Sequence, residues 1–193
     1  MTRIARTATL AAILSTLAPL CHGAIITYEA SLAPESPGAN GSGFVTIDYD
    51  NLGQTLLINT NWSGLSGTTT VAHIHCCTPT PGTGTIGVAV TPGTLPGFPL
   101  GVTLGAYSVL LDLTDSATFT SAFINVYAGG LVGNAETALI AGFDAGTAYF
   151  NIHTTAFPGG EIRGFLQQVP EPATLALTAL GLAALGWVRR KPA

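Results

Sequence analysis

The chain has 193 residues, 47% of them hydrophobic and 8% charged, with a formal net charge of −4. That charge is unevenly held: between Ala24 and Val169 the acids Glu29, Glu35, Asp48, Asp50, Asp112, Asp115, Glu136, Asp144 and Glu161 face the single base Arg163. A surface with one cation cannot displace counterions from phosphates, so nucleic acid is excluded as a partner.

At the N-terminus Arg3 and Arg6 precede an apolar stretch from Ala8 to Leu20 and small residues around Gly23-Ala24. This order predicts a secretory signal peptide over 1–23, which takes Cys21 with it on cleavage. The segment 24–168 that follows is long enough for one domain with a real core and too short for two. It is rich in Thr, Val, Ile and aromatic residues punctuated by Gly and Pro, which predicts a mostly β fold. Strands are expected over 25–32, 43–50, 55–62, 71–76, 85–90, 107–113, 147–154 and 161–167. Hairpins are expected at Asp50-Asn51-Leu52-Gly53 and through Phe157-Pro158-Gly159-Gly160. A short capped helix is predicted over 134–141, so the expected architecture is an antiparallel β-sandwich with a short helical excursion. The stretch from Thr78 to Gly101, with Pro79, Pro81, Pro92, Pro96 and Pro99, reads as a long functional or mobile loop.

The chemistry-bearing residues lie in two segments, Ala72-His73-Ile74-His75 and Asn151-Ile152-His153-Thr154, the second followed by Gly159-Gly160-Glu161-Ile162-Arg163-Gly164. Residues two apart on a strand share a face, so His73 and His75 project together, opposite Ala72, Ile74 and Cys76. Tyr149, Asn151 and His153 share a face by the same rule. These two segments resemble the hallmarks of the CHRD family, over roughly 25–166. The resemblance implies a β-sandwich, here of Greek-key type and immunoglobulin-like or superoxide-dismutase-like, and for bacterial members it implies little about biochemistry.

Neutral imidazoles suit Cu or Zn, and a His-x-His strand with a third His nearby can supply three nitrogen ligands, here His73, His75 and His153. The His-x-His strand also looks like a ligand strand of copper-zinc superoxide dismutase, but the chain has no zinc loop and no bridging ligand, which argues against a full dismutase site. The alternative is a hydrogen-bonded histidine network that holds two strands together. Glu161 and Arg163 are expected to form a structural ion pair, with recognition of an anionic or sugar ligand as the alternative. Cys76-Cys77, in an oxidising compartment, is expected to form a vicinal disulfide; free thiols, intermolecular links and soft metal ligation are the alternatives. Asp48-Tyr49-Asp50-Asn51-Leu52-Gly53 lacks the Glu a calcium loop needs at its twelfth position, and no phosphate loop or nucleophile elbow occurs. With no catalytic constellation, a non-enzymatic role is expected.

The chain closes with Pro170-Glu171-Pro172, an uncharged apolar run from Ala173 to Val188, and Arg189-Arg190-Lys191. As a helix the run spans roughly 24 Å, a minimal membrane anchor over 173–188, and the basic cluster orients it with the domain outside. This three-part tail resembles the bacterial PEP-CTERM class. It implies cleavage near Pro170–Pro172 by an exosortase-type enzyme after transient residence in the inner membrane, then delivery to the cell surface or an extracellular matrix. The expected partners there are extracellular polysaccharide or other matrix proteins. Two functions follow from the sequence: a structural, adhesive or binding protein of the surface or matrix, and a Cu- or Zn-binding or redox protein built on the histidines.

Overall fold

The computed structural model describes residues 25–170 and Gly181. The expected signal peptide over 1–23 and membrane helix over 173–188 lie outside them. Among the described residues no helix is long and apolar enough to cross a membrane.

The elements in order are β1 (Ile25–Pro34), β2 (Ser42–Asp50), β3 (Thr55–Ser63), β4 (Thr69–His75), β5 (Val88–Val90), β6 (Gly105–Asp112), a 3-10 turn at Ser116–Thr118, α1 (Ser121–Tyr127), α2 (Val132–Asp144), β7 (Tyr149–Thr154), β8 (Ile162–Phe165) and β9 (Gln167–Gln168). All nine strands belong to one hydrogen-bonded sheet, eight of them in the order β5-β4-β7-β8-β1-β2-β3-β6 and β9 off this path, paired with β1. Every pairing is antiparallel. The β class is as expected, and the strands run as one curled sheet. The long β1 joins its two halves, since Ile25–Leu32 pair with β2 whereas Ala33 and Pro34 pair with Arg163 and Ile162 of β8.

Alternation along the strands decides which side chains fill the curl. Tyr28, Ala30 and Leu32 of β1, Val45, Ile47 and Tyr49 of β2, and Leu56, Ile58 and Trp62 of β3 are buried from one half. Ala72 and Ile74 of β4, Phe150 and Ile152 of β7, and Ile162 of β8 are buried from the other. Helix α2 adds Ala135, Leu139 and Phe143 to this core, with Phe143 edge-on to Tyr28 at 5.0 Å. Two tyrosine hydroxyls fasten it: Tyr28 donates to Asp144 at 2.6 Å and Tyr49 to Glu136 at 2.7 Å. Both expected hairpins form, and Asp50 Oδ1 accepts from the backbone N–H groups of Leu52 and Gly53 in the first.

Two local expectations are corrected, and two features are added to them. The strand expected over 85–90 shortens to Val88–Val90, because the carbonyl of Ile86 serves a histidine ring instead of a sheet ladder. The helix expected over 134–141 extends to Val132–Asp144, begins after Leu131 with no side-chain cap, and turns Asn134 back to donate to the Ala128 carbonyl. A further helix, α1, is capped by Thr120, whose hydroxyl accepts from the Phe123 N–H. The long loop 78–101 is pinned down: Leu95 is fully buried, its N–H donates to the Ala72 carbonyl, and Phe98 stacks on Trp62 at 5.0 Å.

Candidate metal centre

The outer face of the β4–β7–β8 half carries the histidines. Pairing of β4 with β7 sets His73 opposite Asn151, His75 opposite Tyr149 and Val71 opposite His153. The three imidazoles therefore meet on one surface, with ring centroids 5.3 Å apart for His73 and His153 and 5.6 Å apart for His73 and His75. His73 and His75 are buried, whereas His153 is half-buried at the rim.

Each ring has one nitrogen engaged by a backbone carbonyl. His73 Nε2 donates to Gly93, His75 Nδ1 to Ile86 and His153 Nδ1 to Pro158, each at 2.7 Å. Because a carbonyl only accepts, these contacts place the proton of each neutral ring on the engaged nitrogen and leave a lone pair on the other. Those other nitrogens, His73 Nδ1, His75 Nε2 and His153 Nε2, are buried and have no hydrogen-bond partner. One ring nitrogen from each histidine lies within 4.8 Å of the others. Two imidazole nitrogens on a tetrahedral zinc stand about 3.3 Å apart, a difference that a shift of under about 1 Å at each ring removes. Ligating histidines characteristically donate their second N–H to a carbonyl or carboxylate, the arrangement all three rings have here.

The electrostatics match neutral rings at His73 and His75. Burial lowers His75 to about 4, with the nearby His73 and His153 adding to the shift against the bond to Ile86. Burial also lowers His73 from its ordinary value. Tyr149 stacks face to face on the His75 ring at 4.7 Å, and the Arg163 guanidinium lies over the Tyr149 ring at 5.1 Å.

Arg163 does not pair with Glu161, and the expected ion pair is corrected. Its Nε lies 3.4 Å from Glu35 Oε2, and its Nη1 donates to the Gly84 carbonyl at 2.9 Å. Glu35 in turn accepts from Asn151 Nδ2 at 3.3 Å, and burial raises its pKa despite Asn151, Arg163 and His153. Gly160, at φ +123°, leaves the space that Glu35 Oε1 occupies; a Cβ there would collide with it. Glu161 is fully buried elsewhere, accepting from the Ser66 and Gly67 N–H groups and, at 2.6 Å, from the Thr154 hydroxyl. Burial alone would raise its pKa, but these donors outweigh it and hold the carboxyl below its ordinary value.

Cys76 and Cys77 are bonded to each other through a disulfide between residues whose Cα atoms are 3.0 Å apart. The pair packs on α2 at Gly142, where a Cβ would meet both sulfurs, and it takes no part in the histidine cluster.

The sequence reading missed Glu35 and did not assign Asn151 a role. Asn151 was detectable from its place between Tyr149 and His153 on the face of β7. Glu35 gives no local signal, since it reaches Asn151 across 116 positions of chain.

A family model for the CHRD domain matches residues 23–166, which include every strand from β1 to β8 and all three histidines of the cluster. The chain belongs to the CHRD domain family. In this CHRD domain the Ala-His-Ile-His strand and the closing Asn-Ile-His-Thr hairpin are the elements that bring the imidazoles together. A second model, for the PEP-CTERM protein-sorting motif, matches residues 168–191, which contain Pro170, Glu171, Pro172, Arg189, Arg190 and Lys191. The motif marks the chain for export, transient anchoring by its tail and processing by an exosortase-type enzyme. No curated protein and no solved structure matches the chain.

Proposed function

We propose that the CHRD domain of this exported protein binds a single Cu or Zn ion through His73, His75 and His153. The observation that carries the reading is the set of three buried, unpartnered ring nitrogens, each on an imidazole whose other nitrogen is engaged by a backbone carbonyl. Three lone pairs facing one another repel, and a cation is the natural complement. A strand-tying histidine network fits less well, because the rings bond to carbonyls of Gly93, Ile86 and Pro158 and not across from β4 to β7.

The test is metal analysis and calorimetric titration of the secreted domain, with His73→Ala and His153→Ala alongside. One equivalent of Zn or Cu is expected in the native protein, and a loss of affinity of at least about 100-fold in each folded variant, since a ligand and not a supporting group is removed. A folded native protein that takes up neither metal overturns the reading.

A role in contact with extracellular polysaccharide is the second reading, and one observation favours it. The opposite half of the sheet carries an open groove of about 560 Å³ lined by Phe44, Thr46, Asn59, Asn61, Tyr107 and Ser108, amides, hydroxyls and rings without a charge. Such a lining suits neutral sugars. Retention of Asn59→Ala and Asn61→Ala variants on isolated matrix polysaccharide, unchanged from the native protein, would remove it.

A further inference from the structure

Three histidines do not complete a four-coordinate metal, so the remaining position decides whether the site is closed or reactive. A fourth buried acceptor adjoins the cluster: Asn151 Oδ1, on a residue only 2% exposed, has no hydrogen-bond partner. Asn151 stands opposite His73 in the β4–β7 register and shares the outer face of β7 with His153. Its side chain neighbours the His75 ring. The amide cannot usefully flip, because Nδ2 donates to Glu35 Oε1 and Glu35 is fixed by Arg163.

Donor type separates Asn151 from the ligands. Imidazole nitrogens suit Zn or Cu, whereas an amide oxygen suits harder cations, and Asn151 Oδ1 only accepts, so its complement is a molecule that carries a proton. His153, half-buried at the rim, marks the side from which such a molecule arrives.

We infer that the metal held by His73, His75 and His153 keeps one position for an exchangeable small ligand, water at rest and a small monodentate anion when supplied, and that Asn151 Oδ1 accepts a hydrogen bond from that water. This rests on the metal-centre reading above and adds to it an open, ligand-accessible position with a positioning residue. Glu35 and Arg163 act through Asn151 by fixing its amide.

The test loads the domain with Cu(II) and titrates it with azide, following the azide-to-copper charge-transfer absorption and the electron paramagnetic resonance spectrum. Expected are a saturable new band and an altered spectrum in the native protein. In Asn151→Leu copper should stay bound to within about 100-fold of native affinity, with azide affinity shifted at least about tenfold. In Asn151→Asp, which keeps an acceptor, the copper should stay bound with the resting spectrum changed. Copper bound with three nitrogens but silent to azide overturns this inference and leaves the metal reading intact. Azide affinity and resting spectrum both unchanged in folded Asn151→Leu overturn the role given to Asn151. Absence of copper binding overturns both readings.

Discussion

Two buried polar clusters flank the closing hairpin, and they are finished differently. At Glu161 every donor and acceptor is matched: two backbone N–H groups from the Ser66–Gly67 turn and the Thr154 hydroxyl meet one carboxylate. At the histidines only the nitrogens bound to carbonyls are matched, and the other three, together with Asn151 Oδ1, are acceptors without a partner. A matched buried group holds a fold together, whereas a convergence of acceptors costs stability on its own and is retained where a cation relieves it. On the metal reading proposed above, the contrast separates a structural site from a functional one.

Removal of Glu161 gives the largest expected effect on stability. Glu161→Ala leaves two buried donors, the Gly67 N–H and the Thr154 hydroxyl, without an acceptor and should destabilise the domain by about 3 kcal/mol, read from urea unfolding. Metal affinity of the folded fraction should be unchanged. Acid should act through the same group. Its folded pKa lies below the unfolded value of about 4.3, so its contribution is fully present above that pH and is lost as pH falls through the folded pKa. Glu161→Gln should flatten this acid limb. An unchanged limb would show that Glu161 is not the matched anchor its contacts imply.

The histidine side of the contrast breaks in the opposite way. In metal-free protein, His75→Phe removes a bond to Ile86 and also an unpartnered nitrogen, and the phenyl ring can keep the stack on Tyr149, so stability should change by no more than about 1 kcal/mol. With free metal at about 100 times its Kd the native domain should gain about 2.7 kcal/mol, and the variant nothing. If His75→Phe costs as much as Glu161→Ala without metal, the two clusters are alike and the contrast fails.

How much of this was legible in the sequence depends on the range of the interaction. The shared faces of His73 with His75, and of Asn151 with His153, follow from the period of a strand. Their meeting depends on the pairing of β4 with β7, some 80 positions apart, which no local pattern fixes. The carbonyls of Gly93, Ile86 and Pro158 that hold the rings could not be read at all, since every residue carries a carbonyl. The Glu161–Arg163 pair failed for a definable reason: β8 begins at Ile162, so Glu161 lies before the strand and the shared-face rule does not reach it. It turns inward to the Ser66–Gly67 turn while Arg163 stays on the outer face.

Arg163 bridges the two kinds of region, and its removal should give the smallest effect. It holds Glu35 by charge, the loop by the Gly84 carbonyl, and the Tyr149 ring by stacking. Arg163→Met keeps an apolar stem over Tyr149 and loses the first two. The expected cost is about 1 kcal/mol in urea unfolding, because the guanidinium is partly exposed and its ion pair is partly screened. If Glu35 and Asn151 serve the metal centre, copper affinity should fall by about tenfold as well, the size of a supporting-group effect. Loss of stability with copper affinity unmoved would place Arg163, Glu35 and Asn151 with the structural cluster of Glu161 and confine the functional site to the three imidazoles.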